Sequence, residues 1–534
     1  MSDNLSHDEI NNWLNFQLIC KPEQSGKTFV MIQRIIQDLT EPMSDKEMVN
    51  FVLCDNNLLL TKQTSIRIDN DLKKYYCEGT TPYIEFSSHK RSDYNHTSKV
   101  FEAIVSGGIR NIICCTNGTR MNDINGLINK INRGVFTSGK FHFRIWLDEA
   151  DKFINYIDNT LCPITKEHSN VNVHLITATP KPLFLKYKYM NVLPIQNTTS
   201  ESYHGWKDND IHIIDKECDI LPFIEHILNI VAPEEINPGT KWLIPGLNSK
   251  KSHKDIKNIC INKGMAVIII NSDGITITIP ETLEVFKYDK DDEFNHTMIK
   301  LYEYHHLERF PLAITGNICI GRGITIMSDD FMLDYAILSN SSDQCQASQL
   351  AGRVKGNIKG FTNYKPIKVF TTNEFDNIAF EFEQKSRNLA KLAFEKQQKG
   401  EETIIDKTEF NTCNKDYKYM IHNELFDTFD NAKNFLKTKE TEMGSRVRIS
   451  KENSIHISPQ GYSLTSKLLK PGQKVSDLSD NDIITLEKAR HISASRCISA
   501  TNKGSKYLIL PVYENAHSHP DSVRFQVRYL DTLN

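Results

Sequence analysis

Trp146-Leu147-Asp148-Glu149-Ala150-Asp151 is the stretch that decides the fold, an apolar run ending in two adjacent acids. About 120 residues upstream stands Ser25-Gly26-Lys27-Thr28, between the apolar run Phe16–Cys20 and a helical pattern. A Gly-Lys-Thr turn placed so offers backbone N–H groups and a lysine to phosphates, and a hydroxyl to Mg²⁺. An acid at the end of a following strand completes the metal site, and its neighbour can orient or deprotonate water. The pair predicts a nucleotide site on an α/β sheet. Taken alone, the first stretch also fits an ordinary helix start with Ser25 as N-cap.

At 534 residues the chain exceeds the size of one hydrophobic core, so several domains are expected. Its 39% hydrophobic and 25% charged residues exclude a disordered or fibrous protein. With a formal net charge of −3, any surface for nucleic acid is a local patch. The twelve cysteines include no CxxC pair, and Cys114-Cys115 lie in an apolar run, which reads as reduced thiol. The polar stretch Met1–Trp13 has no signal-peptide core, and no apolar run approaches the roughly 20 residues of a membrane span. A cytoplasmic or nuclear, reducing compartment is expected, with no membrane partner. The Asn-, Ile- and Lys-rich composition suits an A·T-rich genome, such as that of a large DNA virus.

From 16 to 195 apolar runs alternate with helical patterns. Strands are expected at Phe16–Cys20, Val49–Leu53, Asn111–Cys115, Phe143–Leu147 and Val173–Thr177. The stretch Phe29–Leu39 reads as a helix, with Val30, Ile32, Ile35 and Ile36 inward. Such alternation argues for a parallel sheet covered on both faces. Polar residues Gln196–Asn209 read as a linker. A second series follows, with strands at Lys241–Pro245, Met265–Ile270, Pro311–Thr315, Tyr335–Leu338 and Pro366–Phe370. Domains are expected at 1–200 and 210–375, with a helical connector at 376–440 and a β-rich accessory domain at 441–534.

Three further stretches carry chemistry. Thr177-Ala178-Thr179 ends a strand with hydroxyls able to sense a γ-phosphate. Gly321-Arg322-Gly323-Ile324-Thr325 lets backbone approach a ligand closely. Gln349 and Arg353 stand four apart, on one face of an expected helix. In this order the motifs resemble those of superfamily-2 helicases and translocases: I at 25–28, II at 148–151, III at 177–179, V at 321–325 and VI at 349–353. Weaker matches are Asp55–Gln63 for Ia and Thr116–Arg120 for Ib, and the resemblance covers roughly residues 14–375.

The resemblance implies two tandem RecA-like parallel-sheet domains, with ATP between them and a smaller α+β C-terminal region. Gln24, Ser25, Gly26, Lys27, Thr28 and Gly323 would bind nucleotide, and Thr28 and Asp148 would hold Mg²⁺. Lys27, Glu149, Gln349 and Arg353 would be catalytic. Gln63, Thr116, Gly118, Arg120, Arg322 and Thr325 would face nucleic acid, mostly its phosphates. Three departures stand out. Lys21 replaces the early glycine of the phosphate loop. Gly356 replaces a second arginine in motif VI, with Lys355 beside it to compensate. Motif VI reads Gln-Leu-Ala-Gly-Arg where DEAD-box RNA helicases carry His-Arg-Ile-Gly-Arg. The expected function is an ATP-dependent helicase or translocase on DNA. The alternatives are an RNA-stimulated ATPase and a non-hydrolysing nucleic-acid-binding scaffold. In the C-terminal region, Arg524, Gln526 and Arg528 alternate with Val523, Phe525, Val527 and Tyr529. With Arg496, Lys503 and Lys506 they are read either as a basic face for nucleic acid or as a solvated strand face.

Overall fold

The structure, a computed structural model, describes residues 15–40, 45–55, 58–76, 81–87, 92–214, 219–247, 249–288, 294–316, 326–339, 344–413, 417–443, 454–457, 464–467, 485–491, 507–515 and 518–532. Two compact units divide at Asn414 and Lys415.

The first unit opens with strands β1 (Phe16–Cys20), β2 (Glu47–Cys54), β3 (Ile84–Glu85), β4 (Asn111–Cys115), β5 (Phe141–Leu147) and β6 (Val171–Thr177). They form a sheet in the order β1-β6-β5-β2-β4-β3, with every pair parallel. Both faces are covered, which is why the strands read as continuous apolar runs. Along β5, Phe143, Ile145 and Leu147 enter one core while Trp146 enters the other. The helix Lys27–Thr40 covers that second face with Met31, Ile32, Ile35 and Ile36. Val30, expected inward, is half-buried at the margin of the same core. Trp146 is sealed, and its indole N–H donates to Asn50 Oδ1 at 3.0 Å. Trp146→Ala removes the ring and orphans that acceptor, so a loss of about 3–5 kcal/mol is expected, read as a lower denaturation midpoint.

The second sheet follows β7 (Tyr189–Asn191) and β8 (Tyr203–His204). It contains β9 (Asp210–Ile213), β10 (Lys241–Leu243), β11 (Ala266–Asn271), β12 (Gly274–Thr278), β13 (Val285–Tyr288), β14 (Leu312–Gly316) and β15 (Tyr335–Leu338). After β16 (Gly356–Asn357), the strand β17 (Lys368–Thr371) completes it. The order is β13-β12-β11-β14-β10-β15-β17-β9, parallel from β11 to β9, with β12 and β13 as an antiparallel edge. Two parallel α/β domains in tandem are therefore present, of the RecA-like kind expected.

The polar stretch 196–209 is docked, not free. β8 pairs with β16, and Trp206 is fully buried in the second domain's core with its indole N–H on Asp376 at 2.7 Å. The expected connector at 376–440 also differs. Helix Asn373–Gln398 starts on a Thr372 N-cap, with Glu374 and Asp376 in its first turn. Phe375, Ile378, Ala379 and Phe382 of this helix pack into the second core, while Leu389 and Ala393 pack into the first. The chain then adds β18 (Ile404–Asp406), antiparallel to β7.

The second unit begins earlier than residue 441 because β19 (Tyr417–Ile421) belongs to its sheet. After the hairpin β20 (Ser454–Ile457) and β21 (Leu464–Lys467) come β22 (Tyr507–Val512) and β23 (Arg524–Thr532). The antiparallel order is β19-β23-β22, and helix Phe429–Met443 contributes Ala432 and Leu436 to its core. Phe525, Val527 and Tyr529 are buried as the alternation predicts, but the opposite face is not uniformly solvated. Arg528 is fully buried, donating to Ala489 O at 2.8 Å and to Gln526 Oε1 at 2.9 Å. It serves the unit's interior, which removes it from the expected basic face. Arg496, Lys503 and Lys506 lie outside the described residues. Among the described residues no helix is long and apolar enough to cross a membrane.

Candidate functional site

The turn after β1 is built from left-handed backbone at Gln24 (φ 56°) and Gly26 (φ 93°). Ser25 turns its hydroxyl back onto Pro22 O at 2.7 Å, so it braces the turn instead of capping the helix. Lys27 then opens its helix, with Thr28 beside it. At the end of β5, Asp148 Oδ1 accepts from the Glu149 amide at 3.0 Å, and Glu149 itself is left-handed (φ 52°). A non-glycine residue in that region is uncommon and clusters at functional sites. Burial first, and then the neighbouring Glu149, push the Asp148 carboxyl up to about 7, while Lys27 opposes the shift.

Asp151, the last acid of the motif, accepts from the Thr177 hydroxyl at 2.7 Å, and the Thr179 amide donates to the same hydroxyl at 2.9 Å. The threonine turn is thereby fastened to the acid turn. The long helix is fastened there too, through the Ser386 hydroxyl donating to Ala178 O.

The second domain supplies Gln349 from helix Gln344–Ala351 and Arg353 from the tight turn Gly352–Val354. Gln349 Nε2 donates to Glu149 Oε2 at 3.0 Å across the domain boundary. Gln349 and Arg353 are 1% and 3% exposed, so both side chains are held inside the boundary between the two domains. They line a cavity of about 340 Å³ together with Gln24, Gly26, Lys27, Thr28, Asp148 and Glu149.

Lys355 does not take the place of the missing arginine. Its ammonium is fully buried 2.9 Å from Glu23 Oε2 and 3.5 Å from Glu383 Oε2, turned into the protein. Burial alone would raise the Glu23 carboxyl, but Lys355 above all, and then Lys27, hold it below its usual range. Gly356 has φ +141°, and a Cβ there would meet Gln24 Cβ at 3.3 Å, so arginine has no place at this position. Glu23, Ser348 and Glu383 are site residues that the motifs did not mark. The one sequence signal was an acid within a phosphate loop.

Of the residues expected to face nucleic acid, Thr116, Gly118 and Arg120 stand together where β4 gives way to the helix Gly118–Arg133, and Gln63 stands elsewhere. Gln63 is buried and lines the same cavity as Lys27 and Asp148. Thr116 spends its hydroxyl on Cys54 O at 2.7 Å. Arg120 lies 4.0 Å over the Phe86 ring and pairs with Asp123 at 2.7 Å, which ties it to the protein. Gly118 opens helix Gly118–Arg133 behind an Asn117 cap. Arg322, Gly323 and Thr325 lie outside the described residues.

The donors expected for Mg²⁺, the Thr28 hydroxyl and the Asp148 carboxylate, are both hard oxygens. An octahedral cation that keeps several waters needs no larger protein cage. Asp148, half-buried with its carboxyl raised, and the buried Glu149 beside it crowd negative charge that a divalent cation would relieve. The residues present therefore fit the ion.

No family model and no curated protein matches the chain. Among solved structures, S. cerevisiae Dbp5 bound to Gle1 and IP6 is similar at 12% identity and a TM-score of 0.38, over 69% of this chain and 81% of that one. The type ISP restriction-modification enzyme LlaBIII bound to DNA is similar at 13% identity and a TM-score of 0.40, over 75% of this chain and 31% of that one. The Mycobacterium smegmatis helicase Lhr bound to single-stranded DNA and AMP-PNP is similar at 10% identity and a TM-score of 0.37, over 72% of this chain and 46% of that one. This chain thus spans less than half of the last two. By its own strand order, the chain holds two parallel α/β domains of the RecA-like kind in tandem.

Proposed function

We propose that the chain is an ATP-dependent nucleic-acid helicase or translocase acting on DNA. The observation that carries this reading is the Gln349–Glu149 contact. It brings the second domain's Gln349 and Arg353 into one cavity with Lys27, Thr28, Asp148 and Glu149. Lys27 and the turn's N–H groups bind the phosphates, and Thr28 and Asp148 hold Mg²⁺, which neutralises phosphate charge when bound. Glu149 orients water, and Gln349 fixes the Glu149 carboxylate. Arg353 stabilises charge that develops during transfer. Closure and opening of the domains would move a bound strand.

Nucleic acid as the partner rests on the motif resemblance, and the preference for DNA rests on Gln-Leu-Ala-Gly-Arg in motif VI. Steady-state hydrolysis with Mg²⁺ tests the reading, comparing no polymer, single-stranded DNA, duplex DNA and RNA, with Lys27→Ala as control. Stimulation by DNA that is lost in Lys27→Ala is expected. Stimulation by RNA alone would replace DNA as the track. Binding of polymer with no hydrolysis under any condition would make the chain a scaffold.

A further inference from the structure

A carboxylate inside a loop shaped for phosphates is a conflict of charge, and the structure resolves it from the other domain. Ser348 donates to Glu23 Oε1 at 2.5 Å and Lys355 to Glu23 Oε2 at 2.9 Å. Lys355 is steadied by Glu383, whose other oxygen accepts from Arg387 at 2.7 Å. The Glu23 carbonyl also accepts from the Tyr203 hydroxyl at 3.1 Å. Glu23 and Lys355 are 2% and 0% exposed at their side chains. The close approach needs glycine, because a Cβ on Gly352 would stand 2.8 Å from Glu23 Cβ. The partners of the Glu23 carboxylate thus come from the second domain, and separating the domains takes them away.

We propose that Lys355 is a positioning residue of the nucleotide site that acts through Glu23. With the domains together it cancels the Glu23 charge and seats the phosphate loop. With the domains apart the carboxylate keeps only Lys27, four positions on, to offset its charge, and it repels the nucleotide's phosphates. Affinity for ATP is thereby tied to closure by a charged pair, Glu23 and Lys355, at the wall of the cavity. The inference rests on the reading of the cavity as an ATP site. Linked binding and closure of this kind is typically worth roughly 5- to 150-fold in affinity.

The test uses the full chain with Lys355→Met, Glu23→Gln and the double variant. Fluorescent ATP-analogue binding is read with Mg²⁺, alongside single-stranded DNA affinity and melting midpoints. Lys355→Met is expected to weaken nucleotide binding roughly 5- to 150-fold with DNA affinity unchanged. Adding Glu23→Gln is expected to restore it, because the offending charge is gone. Glu23→Gln alone is expected to bind nucleotide at least as tightly as wild type, which decides the matter if Lys355→Met does not fold. A purely structural role predicts the opposite, a double variant at least as damaged as either single one. Wild-type binding in Lys355→Met, or no rescue in the double variant, overturns the gate alone. A wild type that binds no nucleotide overturns the ATP site and the gate with it.

Discussion

Glu149→Gln is expected to bind ATP and to hydrolyse it about 10²–10⁴ times more slowly than wild type. The substitution is isosteric, and a glutamine carbonyl still accepts from Gln349 Nε2, now 3.0 Å from Glu149 Oε2. The contact between the domains is kept, and only proton acceptance is lost. The two effects separate cleanly in a single-turnover experiment with a parallel binding titration. A variant with wild-type turnover would remove Glu149 from the chemistry and leave it a purely structural bridge.

Arg353→Ala is expected to lose about 10³–10⁵ in kcat with a much smaller change in KM, the pattern of a group felt in the transition state. Arg353 is 3% exposed on the cavity wall and reaches it only because the second domain is in place. Arg353→Lys is expected to fall between the two, since an ammonium lacks the planar fork that spans two phosphate oxygens. Steady-state kinetics decide the point. A raised KM with unchanged kcat would reassign Arg353 to ground-state binding.

Much of the first unit was legible because its strands are buried on both faces and punctuated by turns. Asn111–Cys115 and Tyr335–Leu338 match the expected bounds, and Phe143–Leu147 extends by one turn of the pleat to Phe141. The β12–β13 hairpin escaped, although Ile275 and Ile277 alternate with Thr276 and Thr278, because the reading there followed continuous apolar runs. Motif spacing placed Lys27, Thr28, Asp148, Glu149, Gln349 and Arg353 around one cavity. It did not show where Lys355 points, since Glu23 lies 332 positions away. Periodicity also misread β23. Strict alternation says which residues share a face, and helix Leu486–His491, whose Ala489 carbonyl receives Arg528, made the second face an interior one.

The chain passes between the parallel-sheet domains twice, once through 196–209 and once along helix Asn373–Gln398, which is rooted in both cores. A single tether would let the domains twist and slide as well as part. Two separate crossings restrict twisting and sliding more than one would, like a door hung on two hinges. The 26-residue helix is about 39 Å long and stiff, so it resists stretching and sets how far the door can travel. Because Ser386 of that helix also holds the Ala178 carbonyl, the frame of the door is fixed to the turn that braces Asp151. A displacement of the second domain along this frame would reach the cavity at its strand-end acids, which stand at the jamb.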